Sequence, residues 1–424
     1  MTMKRFYLKR PISILMLFMT SLLLALPARA ELVIRITGGV SDGIPVMIMP
    51  FEGVGASRII EDDFRRSGQF TMINPARAGQ PLRFGQPFQK QLLKNSGAEY
   101  VVVGRLNNGL EFELLNAATG ARMASYTIPP HSNLRSMAHK AADAIYQRLT
   151  GKRGAFDTRI AYVSASGAAR DQTYRLIISD ADGYNPRTVM TSDKPVMSPT
   201  WSPDARQLAY VSFESGRSAI YVQNLLTGNA YPISNAEGMN GAPAWSPDGR
   251  TIAMSLSVDG NADIYVVSTG GGAEPRRITR ARGIDTEPSW ANANTLIYTS
   301  DQGGKPQLYR TSVNGGDGAR LTFNGSENSA ASVVGNSIAM VRQDGDVSRI
   351  ALMNAASKAM VMVSRGGRYD ESPSLAPNGA MVIYSTEERG RGVLAIASSN
   401  GKASQILSAQ DGHVRDPAWS PYVN

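Results

Sequence analysis

Trp201-Ser202-Pro203-Asp204 and Trp245-Ser246-Pro247-Asp248-Gly249 are two copies of one phrase that recurs through the C-terminal half of this 424-residue chain. Worn copies follow at Trp290-Ala291-Asn292, Ser332-Val333-Val334-Gly335, Leu375-Ala376-Pro377-Asn378-Gly379 and Trp419-Ser420-Pro421. The anchors are spaced 44, 45, 42, 43 and 44 residues apart. A fixed period of that length, carrying strands rather than helices, marks a β-propeller. Ser-Pro-Asp-Gly suits a tight turn, with Pro where φ is near −60° and Gly where the chain leaves the turn. All four tryptophans stand at the head of the phrase, where an indole can fill the wedge between neighbouring sheets.

A β-rich run follows each turn: 207–212, 251–256, 295–300, 337–342 and 381–386. A sixth, Arg159-Ile-Ala-Tyr-Val-Ser164, has no phrase before it, and the last phrase, at Trp419, has no run behind it. The offset by one predicts that the C-terminal Pro417-Ala418-Trp419 segment pairs into the sheet begun near Ile160. That closes a ring of six blades and leaves only short, protected edges. The fold class is therefore an all-β six-bladed propeller preceded by a small α/β domain.

The expected organisation is a signal peptide over 1–30, an N-terminal segment over 31–42, an α/β domain over 43–154 and the propeller over 155–424. Lys4, Arg5, Lys9 and Arg10 precede the apolar stretch Ile12–Leu26, and Ala28-Arg29-Ala30 is a small-x-small cleavage site. The stretch is short for a membrane span, which needs about 20 residues. Glu31-Leu32-Val33-Ile34-Arg35-Ile36 is β-prone and ends before Gly38-Gly39 and Asp42. It could add as a strand to another protein's sheet or form an ordinary edge strand. In the α/β domain we expect a helix capped by Ser57, a helical turn from Phe88 to Lys94, a hairpin about Asn116–Gly120 and a helix capped by Ser132.

Without residues 1–30 the balance is 39 Lys and Arg against 35 Asp and Glu, or +4, rather than the +9 of the whole chain. Residues 158–424 carry 24 of each sign. No basic stripe with interleaved aromatics occurs, which speaks against nucleic-acid binding. The absence of cysteine excludes thiolate metal sites and cysteine nucleophiles.

Three histidines, His131, His139 and His413, lack a second histidine at ligand spacing and read as surface or capping residues. No nucleophile elbow, P-loop or dinucleotide fingerprint is present. Paired acids such as Asp370-Glu371 point to opposite faces of a strand, so they cannot flank one bond. The chain reads as a binding protein, with a propeller hydrolase or a scaffold for other partners as the alternative. The loops entering the innermost strands should meet at one rim: Met239-Asn240-Gly241-Ala242, Asp285-Thr286-Glu287, Asn328-Ser-Ala330, Asp370-Glu371-Ser372 and Arg415-Asp416. Acids there could attract a cation or a basic partner.

The leader, the small α/β domain and the six phrases closed by Pro417-Ala-Trp-Ser-Pro421 together resemble the TolB family. This is the periplasmic propeller component of the Tol–Pal cell-envelope system. Phe213-Glu-Ser-Gly-Arg-Ser218, Asn240-Gly-Ala-Pro243, Thr286-Glu-Pro288 and Ala418-Trp-Ser-Pro-Tyr422 carry the likeness more specifically than the generic repeat. The resemblance implies a non-enzymatic monomer serving outer-membrane integrity, cell division and protein transport. It implies peptidoglycan-associated lipoprotein bound at the mouth and TolA bound by the N-terminal segment, with colicins as further partners and calcium possible in the channel. Carried onto this chain, the mouth positions are Met239, Ala242, Thr286 and Glu287, and the loop positions named above add Asn240, Asp285, Glu371 and Asp416. The N-terminal ones are Glu31, Leu32, Val33, Ile34, Arg35, Ile36 and Asp42. Two departures stand out: the copy at Ser332 has lost Trp, Pro and Asp, and Met239 replaces a histidine associated with the mouth.

Overall fold

The structure, a computed structural model, describes residues 35–37, 42–53, 55–86, 90–168, 170–407 and 412–423. The stretch read as a signal peptide, together with Glu31, Leu32, Val33, Ile34 and Gly38-Gly39, lies outside the described residues. Among the described residues no helix is long and apolar enough to cross a membrane.

Six of the sheets are blades of one propeller. In ring order, blade one holds His413–Trp419, Arg159–Ser166, Thr173–Asp180 and Arg187–Ser192. Blades two to six open with the innermost strands Val196–Trp201, Asn240–Trp245, Asp285–Asn292, Glu327–Val334 and Glu371–Leu375. Trp419 pairs with Ile160 and Ala418 with Ala161, so the ring closes as the offset repeats require. The second strand of each blade is the β-rich run. In Gln207–Ser212 and Thr251–Leu256 every residue after the first is buried, because both faces of a blade pack on neighbours. Such strands need continuous apolar or β-branched residues rather than alternation.

The worn fifth blade corrects one reading. Val333, not Ser332, pairs with Ile338 as Trp201 pairs with Leu208 and Trp245 with Ile252. Val333 therefore holds the tryptophan place, and Ser332 turns instead to blade six, where its Oγ accepts the Leu375 N–H at 3.0 Å.

The N-terminal part is a five-stranded sheet in the order Phe70–Ile73, Ile44–Ile48, Tyr100–Asn107, Gly109–Asn116, Arg122–Ile128. Helices α1 (Ala56–Ser67) and α2 (Leu134–Thr150) accompany it. The hairpin turn closes with the Gly120 N–H on the Asn116 carbonyl at 2.9 Å. Helix starts differ from expectation. Gly55, with no side-chain cap, precedes α1. Asn133 rather than Ser132 caps α2, its Oδ1 accepting from the Arg135 and Ser136 N–H groups. Within the turn expected from Phe88 to Lys94, Lys90–Leu93 is a 3-10 turn, and Phe88 and Gln89 lie outside the described residues.

One apolar core runs from Val46, Phe64, Phe112, Ile145 and Phe156 into Ile160, Met381, Ile383, Leu394, Val414 and Trp419. The α/β domain is thus seated over blades one and six, where the ring closes. Beside it, Arg35–Thr37 adds to the outer edge of blade six, pairing Arg35 with Ile406, Ile36 with Gln405 and Thr37 with Ser404. Asp42 lies further on and binds the Lys402 ammonium at 2.6 Å, which lowers its pKa.

Candidate functional site at the propeller mouth

Each of the six innermost strands slips register at the same place, and that of blade four slips again between Trp290 and Asn292. At the slip sits one residue with left-handed backbone: Ser198 (φ 50), Ala242 (48), Glu287 (53), Ala330 (53), Ser372 (51) and Asp416 (51). None is glycine, although a non-glycine residue in this conformation costs roughly 1–2 kcal/mol. A bulge that recurs in every blade re-aims the strand at the same height. With the two residues after them, these six line a central cavity of about 230 Å³. Proline follows the bulge in five blades and Ala331 in blade five.

The bulge sets the fate of its neighbours. Two places before it come Val196, Asn240, Asp285, Asn328, Asp370 and Val414, all buried. Asn240 and Asp285, expected at the rim, are therefore internal. Asn240 Oδ1 accepts from Ser234 Oγ at 2.7 Å and from the Ala236 N–H at 3.2 Å. Burial pushes the Asp285 carboxyl above its ordinary range, with the Ser300 and Thr279 hydroxyls opposing. Asn328 Nδ2 likewise donates to Gln307 Oε1 at 2.9 Å, and Asp370 Oδ1 accepts from Thr386 Oγ1 at 2.6 Å. The period of two puts this row into the blade and its flanking rows toward the mouth.

Those flanking rows do reach the surface. One place before the bulge, Thr286 is half-buried, its Oγ1 3.1 Å from Ser255 Oγ, and Glu371 is exposed. Three places before it, Met239 is 42% exposed, Ile284 52% and Tyr369 46%. Phe323, on the connection into blade five, is 71% exposed. Only Met239 of these was foreseen. The proline that follows the bulge in five of the blades brings Ile284 and Tyr369 into register with it, each four places before that proline; Phe323 has no such signal. Exposed large apolar side chains on one rim mark a protein-binding surface.

Two of the mouth acids, Glu287 and Asp416, are engaged within the protein. Glu287 Oε2 accepts from Thr299 Oγ1 and from the Ala330 N–H, each at 2.8 Å. Asp416 Oδ2 accepts the Ser198 N–H at 3.2 Å, and its Oδ1 accepts from Ser372 Oγ at 3.2 Å. Among the described residues no three acidic or histidine side chains gather that could hold a metal ion.

A second concentration of charge lies where α1 and α2 meet the propeller. His139, read as a surface residue, is only 2% exposed. Its Nδ1 is 2.7 Å from Asp63 Oδ2 and its Nε2 is 3.3 Å from Asp182 Oδ2. Arg66 pairs with Asp63, and Arg135 with Asp182. Arg66 Nη1 also donates to Gln405 Oε1 at 3.5 Å, on the strand that carries Arg35–Thr37. Burial alone would lower the His139 pKa, but Asp63 and Asp182 outweigh it and hold the ring up to about 10. Asp182 is held well below the carboxylate range despite its burial, chiefly by His139. Of the other histidines, His131 Nδ1 accepts the Asn133 N–H at 3.0 Å and His413 Nδ1 the Gly392 N–H at 3.2 Å.

Residues 146–423 match the model of the TolB beta propeller domain, and residues 32–123 that of the TolB amino-terminal domain. The Tol-Pal system protein TolB of Xanthomonas oryzae pv. oryzae is 42% identical over 426 residues, covering 95% of this chain and 97% of that protein. That of Bordetella pertussis is 39% identical over 424 residues, covering 96% and 95%. The crystal structure of TolB from Acinetobacter baumannii superposes with a TM-score of 0.84 at 37% identity, covering 92% of this chain and 100% of that one.

Proposed function

The chain belongs to the TolB family, and we propose that it works in the Tol–Pal system as an adaptor with two separate docking sites. Its propeller mouth docks the peptidoglycan-associated lipoprotein, and its N-terminal segment, Glu31 to Asp42, engages TolA. In this reading it is a periplasmic monomer, exported on cleavage of residues 1–30, that performs no catalysis. It supports outer-membrane integrity and constriction at division by holding its partners.

The observation that supports the mouth is the apolar rim of Met239, Ile284 and Tyr369, three equivalent places in three blades. Aromatic and large aliphatic side chains of this kind dominate protein interfaces. Calorimetric titration with soluble lipoprotein tests it. Ile284→Ala and Tyr369→Ala should each weaken binding about thirtyfold, the scale of an interface hot spot. Binding that neither substitution changes would move the site off the rim. No binding by the folded protein would remove the lipoprotein and leave a scaffold with other partners.

The two docking sites are linked in this reading. If lipoprotein at the mouth favours one state of the N-terminal strand, held on blade six or released, each partner alters the other's affinity by the same factor. Deleting residues 31–42 should therefore change lipoprotein affinity; an unchanged value would sink the linkage but not the docking.

A further inference from the structure

Glu287 and Asp416 stand at the same place in blades four and one, on opposite sides of the channel. Each sits at a left-handed bulge, and each carboxylate accepts the backbone N–H of the next blade's bulge residue. Glu287 takes that of Ala330 at 2.8 Å, and Asp416 that of Ser198 at 3.2 Å. Their remaining contacts tie down further neighbours. Thr299 Oγ1 donates to Glu287 and also lies 3.1 Å from the Ala330 N–H. Ser372 Oγ, on the bulge of blade six, donates to Asp416, whose Oδ2 is 4.0 Å from Arg415 Nε. Asp416 therefore joins the bulges of blades six, one and two, and Glu287 those of four and five.

We infer that Glu287 and Asp416 are positioning residues of the mouth, struts that fix the height and angle of neighbouring bulges. Non-glycine residues persist in a left-handed conformation only where the surroundings over-determine it, and an ionised acceptor on a backbone N–H is among the stronger restraints available. The bulges in turn set the rim, because Met239, Ile284 and Tyr369 each stand three places before one. This also specifies the partner. With these carboxylates committed to hydrogen bonds within the protein, the centre of the mouth suits a segment presenting apolar and neutral side chains rather than a cluster of lysines or arginines.

The functional half of this inference rests on the docking reading above, and the experiment separates the two. Amide hydrogen exchange is followed at Ala330 and Ser198 in the protein alone, for wild type, Glu287→Gln, Glu287→Ala, Asp416→Asn and Asp416→Ala. Lipoprotein affinity is then measured for the same proteins at low and high salt. Gln and Asn keep an acceptor oxygen but not its charge, so exchange at Ala330 and Ser198 should rise only a few-fold. Alanine should speed it about tenfold or more, as expected for loss of a charge-assisted hydrogen bond. Affinity should follow the same split, with a shallow salt dependence throughout. If Gln weakens binding as much as alanine while Ala330 exchange stays unchanged, Glu287 is a charge offered to the partner and the inference is overturned. Unchanged exchange in both alanine variants overturns it too. If wild type does not bind lipoprotein, the docking reading fails while the exchange measurements still decide whether the struts exist.

Discussion

The Trp419 indole N–H donates to Thr158 Oγ1 at 2.8 Å, while the Trp419 backbone pairs with Ile160. One residue near the C-terminus thus holds both the start of the propeller and the core beneath the α/β domain, where it packs with Val414, Ile160 and Leu394. Trp419→Ala empties a buried wedge and should cost about 3–5 kcal/mol. Urea denaturation checks this. A loss under about 1 kcal/mol would mean that the closing strand holds without its anchor, since a buried large-to-small change rarely costs so little.

The four tryptophans fill one repeat position but are not satisfied alike. Trp201 Nε1 donates to the Ala418 carbonyl and Trp290 Nε1 to the Ala244 carbonyl, each at 3.0 Å. Trp245 Nε1 is buried with no acceptor in the protein. Trp201→Phe should therefore cost about 1–3 kcal/mol, because it strands a buried carbonyl as well as removing ring area. Trp245→Phe removes a donor that had no partner, so the hydrogen-bond part of that cost should be absent. Denaturation midpoints for the pair decide, and equal losses would rule out the indole hydrogen bond as the cause.

The repeat made the architecture legible because strand, turn and tryptophan recur at one period and the offset of runs from phrases implied closure. It failed where the signal was worn, at Val333, which keeps the tryptophan's place with only an apolar side chain. It failed at the mouth for a different reason. Loop position alone put Asn240 and Asp285 at the rim, whereas the period of two within the strand, read from the bulge, turns them inward. The same count places Ile284 and Tyr369 outside beside Met239. His139 was misread because its partners, Asp63 and Asp182, are far away in sequence; no local spacing announces a histidine that two domains enclose.

That histidine makes a pH prediction with a definite sign. The folded state raises the His139 pKa from 6.5 to about 10, so it keeps a proton that the unfolded chain releases. The stabilisation is complete below about pH 6.5 and is lost as pH rises toward 10. Asp143 contributes below that window, since burial lifts its carboxyl to about 7 against the Phe156 and Asp157 N–H bonds. Asp182, with its lowered pKa, adds stability that disappears only as pH falls below the ordinary carboxylate range. Between pH 7.5 and 9, stability should therefore decline in the wild type and stay flatter in His139→Gln. The variant itself should lose about 3–5 kcal/mol near neutrality, because it leaves paired carboxylates without their central cation. Urea midpoints at several pH values test both claims, and parallel slopes would show that His139 is not the titrating group.

The charge cluster also touches the edge on which the N-terminal strand lies, since Gln405 accepts from Arg66 and pairs with Ile36. Three residue pairs hold Arg35–Thr37 there, and an edge strand this short adds little to its sheet. Successive N–H groups of a strand point to opposite sides, so proline at both 35 and 36 removes whichever one faces blade six. The double variant should expose the Ser404–Leu407 edge, raising amide exchange there, while the midpoint of global unfolding moves by less than about 1 kcal/mol. It should also bind TolA more readily if the held strand competes with that partner. Faster exchange at 404–407 with unchanged TolA affinity would show that the edge merely parks the segment and does not compete with the proposed docking of TolA.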